Sequence, residues 1–330
     1  MLDCYGGDFA PTEIVKGCVA ASKEEQSLSF VMVGKQEEIL SLLQHENADL
    51  DRFELLDARD VFSNNEAPSL ILRGRDDTTL VKGLVSLRKR DDIDAFITAG
   101  STGATLAASM FKVGRIDGVY RPCLMATLPT RNNKLVRVLD IGANMDAKSE
   151  YLVQYALMAN EFLKASGMEN PRIALLNVGQ EEEKGNALTH EVYPLLKAEK
   201  RINFVGNIEA DHVLKGEADA VICDAFAGNV FIKSLEEAAY FVSDAFKEAF
   251  HKNIFTKIGA LLQMKHLKKV KKLFSYANQA CSPFLGIKKM VVKMHGKSKA
   301  DNVKAVIFET KNLVENHLIE HIQNAIQTED

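Results

Sequence analysis

The chain has 330 residues, of which 46% are hydrophobic and 26% charged. That is enough apolar material for one large core or two smaller ones, and the ordinary apolar and charged fractions argue against reading the chain as disordered. A formal net charge of -4 excludes a nucleic-acid binder acting through overall basicity.

In chain order, Gly6-Gly7-Asp8 and Pro11 lead into a first helix. Phe30-Val31-Met32-Val33-Gly34 reads as a buried strand ended by Gly, and residues 35–44 have helical periodicity. The short run Ser69-Leu70-Ile71-Leu72-Arg73 precedes a helix over residues 78–89. Beyond residue 90 the pattern becomes regular. Strands at 95–100, 136–142, 172–179, 203–207 and 220–224 alternate with helices at 104–112, 149–166, 187–198 and 230–250. This alternation predicts a single-domain, three-layer α/β/α fold with a mostly parallel sheet covered on both faces. In such sheets ligands gather outside the carboxyl ends of the strands, where the Gly, Asn and Asp residues of this chain cluster.

Cys4, Cys18, Cys123, Cys223 and Cys281 fit neither a zinc pair nor a redox pair and read as reduced thiols of a cytosolic protein. No HExxH-type pair occurs. The first residues lack the basic and apolar regions of a signal peptide. No run of about 18 apolar residues is present to span a bilayer.

Several strand-to-helix turns place small residues and unpaired backbone N–H groups where an anion would meet them. Gly6-Gly7-Asp8 is the first, its other reading being a tight turn that needs positive φ. Gly100-Ser101-Thr102-Gly103 is the second. It lacks the Lys of a P-loop and a full GxGxxG, so no nucleotide is expected there. The charged loop 177–186 sets Lys184 beside Gly185, either as a solvated connector or as a loop whose ammonium meets an anion. Asp224 ends an apolar strand before Gly228-Asn229 and belongs either to a site or to the cap of the next helix. Cys223 reads as structural, because no His is near it in sequence and strand alternation points it away from Asp224.

Residues 252–300 hold twelve lysines and no Asp or Glu, so the rest of this chain of net charge -4 sums to -16. Ile254, Ile258, Leu261, Leu262, Leu267, Val270, Leu273 and Phe274 recur at helical spacing among Lys265, Lys268, Lys269, Lys271 and Lys272. Over 252–296 this is a basic amphipathic segment suited to an acidic protein or an anionic membrane surface, and the sequence does not separate the two. An apolar turn at 281–287 follows.

Taken in order, these segments closely resemble the bacterial phosphate acyltransferases of the PlsX family. The carrying motifs are Asp3-Cys4-Tyr5-Gly6-Gly7-Asp8-Phe9-Ala10-Pro11, Ala99-Gly100-Ser101-Thr102-Gly103-Ala104, Arg121-Pro122 and Thr127-Leu128-Pro129-Thr130. They continue with Asp140-Ile141-Gly142-Ala143-Asn144-Met145-Asp146-Ala147-Lys148, Glu181 with Lys184-Gly185-Asn186, Gly206-Asn207-Ile208-Glu209, Asp224 with Gly228-Asn229, and Pro283-Phe284-Leu285-Gly286 leading to His295-Gly296. The resemblance implies a fold like that of isocitrate and isopropylmalate dehydrogenases, a homodimer, and loose membrane attachment through the basic apolar segment. It implies transfer of a fatty acyl group from acyl carrier protein to inorganic phosphate, for phospholipid synthesis, without metal or nucleotide. The location implied is cytoplasmic, at the inner face of the membrane. Ser101 stands where the family tends to have Asn, and Ala225 and Ala227 where it tends to have Gly and Thr. Only Met1 and Leu2 precede Asp3, so a shortened first strand is expected.

For that reaction, holding a polyanion against a thioester should matter more than supplying a strong base. Backbone N–H groups around Ser101, Thr102 and Gly103 and at Gly228-Asn229 are expected to bind phosphate, with Gly6, Gly7 and Asp8 alongside. Lys184 is expected to neutralise phosphate or the oxyanion, Asn144 and Asn186 to donate hydrogen bonds, and Asp224 to orient phosphate or accept its proton.

Overall fold

A computed structural model of the chain describes residues 1–63, 66–264 and 281–327. The first half contains β1 (Leu2–Asp3), α1 (Thr12–Glu24), β2 (Phe30–Gly34), α2 (Gln36–His45), β3 (Phe53–Asp57), α3 (Thr79–Lys89), β4 (Ala95–Thr98), α4 (Thr102–Ala108) and β5 (Cys123–Pro129). There follow β6 (Leu135–Leu139), α5 (Ser149–Ala165), β7 (Arg172–Asn177), α6 (Ala187–Ala198), β8 (Asn203–Glu209), α7 (Ala210–Val213), β9 (Ala220–Ile222), α8 (Ala225–His251) and α9 (Ile254–Leu262). The chain then forms β10 (Ser282–Leu285), β11 (Met290–Lys293), α10 (Ala300–Glu315) and α11 (Leu318–Gln327).

The strands make one sheet in the order β3-β2-β1-β4-β11-β10-β5-β6-β9-β7-β8. Strands β2, β4 and β9 are almost unbroken apolar runs, as a sheet covered on both faces requires. The pairings on either side are parallel, while β11-β10, β10-β5 and β5-β6 are antiparallel. Three successive reversals mean that β6, β9, β7 and β8 run opposite to β1 and β4. The expected mostly parallel sheet is therefore two parallel halves joined by an antiparallel centre, and their carboxyl ends leave the sheet in opposite senses.

The centre contains the main departure from the sequence pattern. The apolar stretch read as a turn at 281–287 is strand β10, whose Phe284 pairs with Leu124 of β5. The short run before α3 forms a 3-10 turn, Pro68–Leu72, with Arg73 just beyond it. The helix expected from 230 begins at Ala225, because Asp224 caps it. Strands β3, β5 and β11 and helices α10 and α11 carry no separate mark in the periodicity. Lys265, Lys268, Lys269, Lys271 and Lys272 of the basic segment lie outside the described residues.

Only Ala225, Gly228 and Ile232 of α8 are buried. Its distal part exposes Phe241 and Phe246, and α9 exposes Ile254, Phe255, Ile258, Leu261 and Leu262. Among the described residues no helix is long and apolar enough to cross a membrane.

Candidate active site

The turns singled out in the sequence gather into two groups and a neighbouring loop. The first group forms where β1, β4 and β11 end side by side. Asp3, almost fully buried, accepts the N–H groups of Tyr5 and Gly6, both at 3.1 Å, and the Thr98 hydroxyl at 2.8 Å. That hydroxyl in turn accepts the Gly100 N–H at 2.9 Å. One carboxylate thus shapes the Gly6-Gly7-Asp8 turn and, through Thr98, the turn that leads into Ser101-Thr102-Gly103. The two turns touch, since a Cβ on Gly6 would lie 2.7 Å from the Gly100 nitrogen. Gly7 has φ +97°, and a Cβ there would meet Ala99 at 2.8 Å and the Gly296 carbonyl at 2.9 Å. The Asp8 N–H donates to that same carbonyl at 2.8 Å, joining the segment after β11 to the group.

Burial pushes the Asp3 carboxyl above the usual carboxylate range, against the pull of its hydrogen bonds. Lys293, the last residue of β11, is buried and pairs in register with Thr98. Desolvation, followed by repulsion from Lys233, lowers its pKa to about 8. His295 is half-buried, and desolvation lowers its pKa too. Its Nδ1 accepts the Lys297 N–H at 3.1 Å, which leaves the proton of the neutral ring on Nε2.

The second group surrounds Asp140, fully buried after β6. Its carboxylate accepts the backbone N–H groups of Leu124, Gly142, Ala143 and Asn144 and the Asn144 side-chain amide, at 2.9 to 3.1 Å. The start of α8 packs against this loop. Gly228 sits so close that a Cβ would come within 1.9 Å of the Asp140 carbonyl oxygen. The Asn229 side chain donates to the Ile141 carbonyl at 3.1 Å, and Ala225 N–H donates to the Asn144 carbonyl at 3.2 Å. Asp224 accepts the Ala227 N–H at 2.7 Å, so of its two sequence readings the helix cap is realised. Asn144 also donates to the Pro122 carbonyl at 2.7 Å. Both protons of its side-chain amide are thus used inside the turn.

The loop after β7 starts beside this second group, because β7 and β9 pair through Leu175 and Ile222, each two residues before Asn177 and Asp224. Asn177 and Asn207 hold it from below, donating to the Lys184 and Glu181 carbonyls at 2.9 and 2.8 Å. The Lys184 side chain is exposed. Asn186 caps α6 by accepting the Thr189 N–H at 3.0 Å.

The two groups are tied together along α8. Asp224 and Gly228 lie in the second group, while Lys233 comes near enough to Lys293 and His295 to depress both pKa values. At about 1.5 Å per residue, Ala225 to Lys233 spans about 12 Å. Ile141 packs against the apolar clusters on both sides. Cys223 is buried, and its thiol is pushed far up by desolvation, which makes it inert and agrees with the structural reading. Asp3, Thr98, Asp140, Lys293 and His295 are among the polar residues of these groups that sequence reasoning had not assigned to the site.

Fold and strand-end turns together define an α/β architecture that is also found in solved phosphotransacetylases and in a putative dehydrogenase. A phosphotransacetylase from Streptococcus pyogenes is superposable with a TM-score of 0.64 at 14% identity, over 96% of this chain and 93% of that one. A putative 4-hydroxythreonine-4-phosphate dehydrogenase from Salmonella typhimurium gives 0.53 at 14% identity, over 95% and 97%. The chain belongs to the family described as fatty acid synthesis protein, whose model matches residues 1–321. It is 40% identical to the phosphate acyltransferase of Thermoanaerobacter pseudethanolicus over 328 residues, 99% of this chain and 97% of that protein.

Proposed function

We propose that this enzyme transfers a fatty acyl group from the thioester of acyl carrier protein to inorganic phosphate, yielding acyl phosphate for phospholipid synthesis. Full-length similarity to phosphate acyltransferases carries this reading. A phosphate oxygen attacks the thioester carbon, the carbonyl oxygen takes up negative charge, and the C–S bond breaks as the tetrahedral intermediate collapses. The sulfur leaves as a thiolate and is protonated. A thiol has a reference pKa of about 8.5 and leaves readily, so positioning and charge neutralisation carry most of the catalysis.

In this reading Gly6, Gly7, Asp8, Ser101, Thr102 and Gly103 form the phosphate end. Gly228 and Asn229 of the second group contribute to phosphate binding beside Asn144, with Lys184, Asn186 and Asp224 around them. Support comes from the shared hydrogen bonds of each group and from the link along α8. The deciding experiment is thiol release from long-chain acyl carrier protein with and without phosphate. Release that does not depend on phosphate would refute the reading.

The exposed apolar side chains at the distal end of α8 suit a second copy of the chain, and those of α9 suit the surface of an anionic bilayer. Leu261→Glu with Leu262→Glu is expected to abolish co-sedimentation with anionic vesicles while leaving thiol release in solution intact. Unchanged sedimentation would remove lipid as the target of α9.

A further inference from the structure

Lys293 is the one lysine among the described residues whose side chain the fold buries, at 9% exposure. Its Nζ donates to the Ala99 carbonyl at 3.2 Å and to the Met294 carbonyl. Both acceptors are neutral, and no ion pair among the described residues includes it. A buried ammonium without a bonded counter-charge is costly, and of its three N–H donors two are used. The site lies where the turns at 6–8, 99–103 and 294–296 meet. The charged groups around it are Asp3 of β1, Asp8 of the turn that follows, Lys233 and Glu236 of α8, and His295 and Lys297 after β11. Asp3 already accepts three hydrogen bonds, and Lys233 is ion-paired with Glu236 at 2.6 Å.

We propose that Lys293 is the phosphate-binding cation of this enzyme, directing its third N–H and its charge at inorganic phosphate held by the turns of the first group. The assignment rests on the proposed transfer to phosphate and names the residue that seats that substrate. An ammonium held away from water attracts a phosphate oxygen more strongly than an exposed one such as Lys184. Most of its charge is present at neutral pH and is lost as pH rises through about 8, with burial and then Lys233 favouring the loss and Asp3 and Asp8 opposing it.

The test compares wild type with Lys293→Met, Lys293→Gln and Lys293→Arg. Two quantities are followed: phosphate-dependent thiol release from a long-chain acyl carrier thioester, and the rise in Tm on adding inorganic phosphate. In the Met and Gln variants the KM for phosphate is expected to rise about 10-fold or more, with the thioester KM within about twofold of wild type. Phosphate should no longer raise their Tm. The wild-type KM for phosphate should climb as pH passes about 8, and Lys293→Arg should move that climb to higher pH. An unchanged phosphate KM in either neutral variant, or an equal rise in both KM values, overturns the proposal. If both neutral variants fail to fold, the wild-type profile decides, and a phosphate KM flat between about pH 7 and 9.5 overturns it. The melting curves need no turnover. If wild type releases no thiol, the acyl-transfer reading falls, and Lys293 is still judged by whether its replacement removes the phosphate-induced rise in Tm.

Discussion

Gly228 shows how little freedom a single position of the site has. With the Asp140 carbonyl 1.9 Å from where a Cβ would stand, Gly228→Ala must push α8 off the loop after β6. A loss of about 1–3 kcal/mol is expected in urea unfolding, together with loss of turnover. Lys293 makes a prediction of opposite character. Its pKa is held at about 8 in the folded chain and returns to about 10.4 on unfolding. Below pH 8 both states carry the proton and the folded one bears the cost of burying it. Between the two values only the unfolded chain keeps the proton, so this contribution to stability improves as pH rises. Relative to Lys293→Met, wild type should gain up to about 3 kcal/mol between pH 7 and 10.5. A pH-independent difference in unfolding free energy would contradict that. Sequence reading missed this lysine for a physical reason. It sits among twelve lysines that look like a solvated face, and only its pairing with Thr98, far away in the chain, buries it. Asp3 and Asp140 were visible as members of motifs, but their role in gathering N–H donors depends on turns that sequence spacing does not describe.

At the scale of elements, α8 begins with a cap that is also a candidate site residue, and the two roles can be separated. Asp224→Ala should cost about 1 kcal/mol of stability, while Asp224→Asn, which can cap equally well, should cost a few tenths. If Asp224 also handles phosphate or its proton, Asp224→Asn should lower kcat about 100-fold or more at unchanged Tm. Activity that simply follows stability across the two variants would leave it a cap. The helices α5, α6 and α8 and the strands β2, β4 and β7 were legible because their apolar periods are long or unbroken. Strand β10 was not. It is four residues long, contains Pro283 and pairs antiparallel on one side with β11, just after it in sequence, and on the other with the distant β5, so locally it resembles a turn.

For the whole molecule, the alternation of strands and helices was enough to give the α/β class, whereas the reversal of direction at the centre of the sheet was not, because it is set by pairing and not by local pattern. Charge is distributed just as unevenly, with twelve lysines in residues 252–300 and a net -16 elsewhere. If acidic carrier protein is steered by the lysines of that segment, its apparent KM should rise several-fold between about 50 and 300 mM salt, while the KM for a small acyl thioester barely moves. A carrier KM indifferent to salt would argue against steering. All five cysteines are buried, and burial raises their thiols above the ordinary range. A colorimetric disulfide reagent added to the native enzyme should therefore find almost no background to react with, and each equivalent of dye formed during turnover counts one sulfhydryl freshly liberated from the donor.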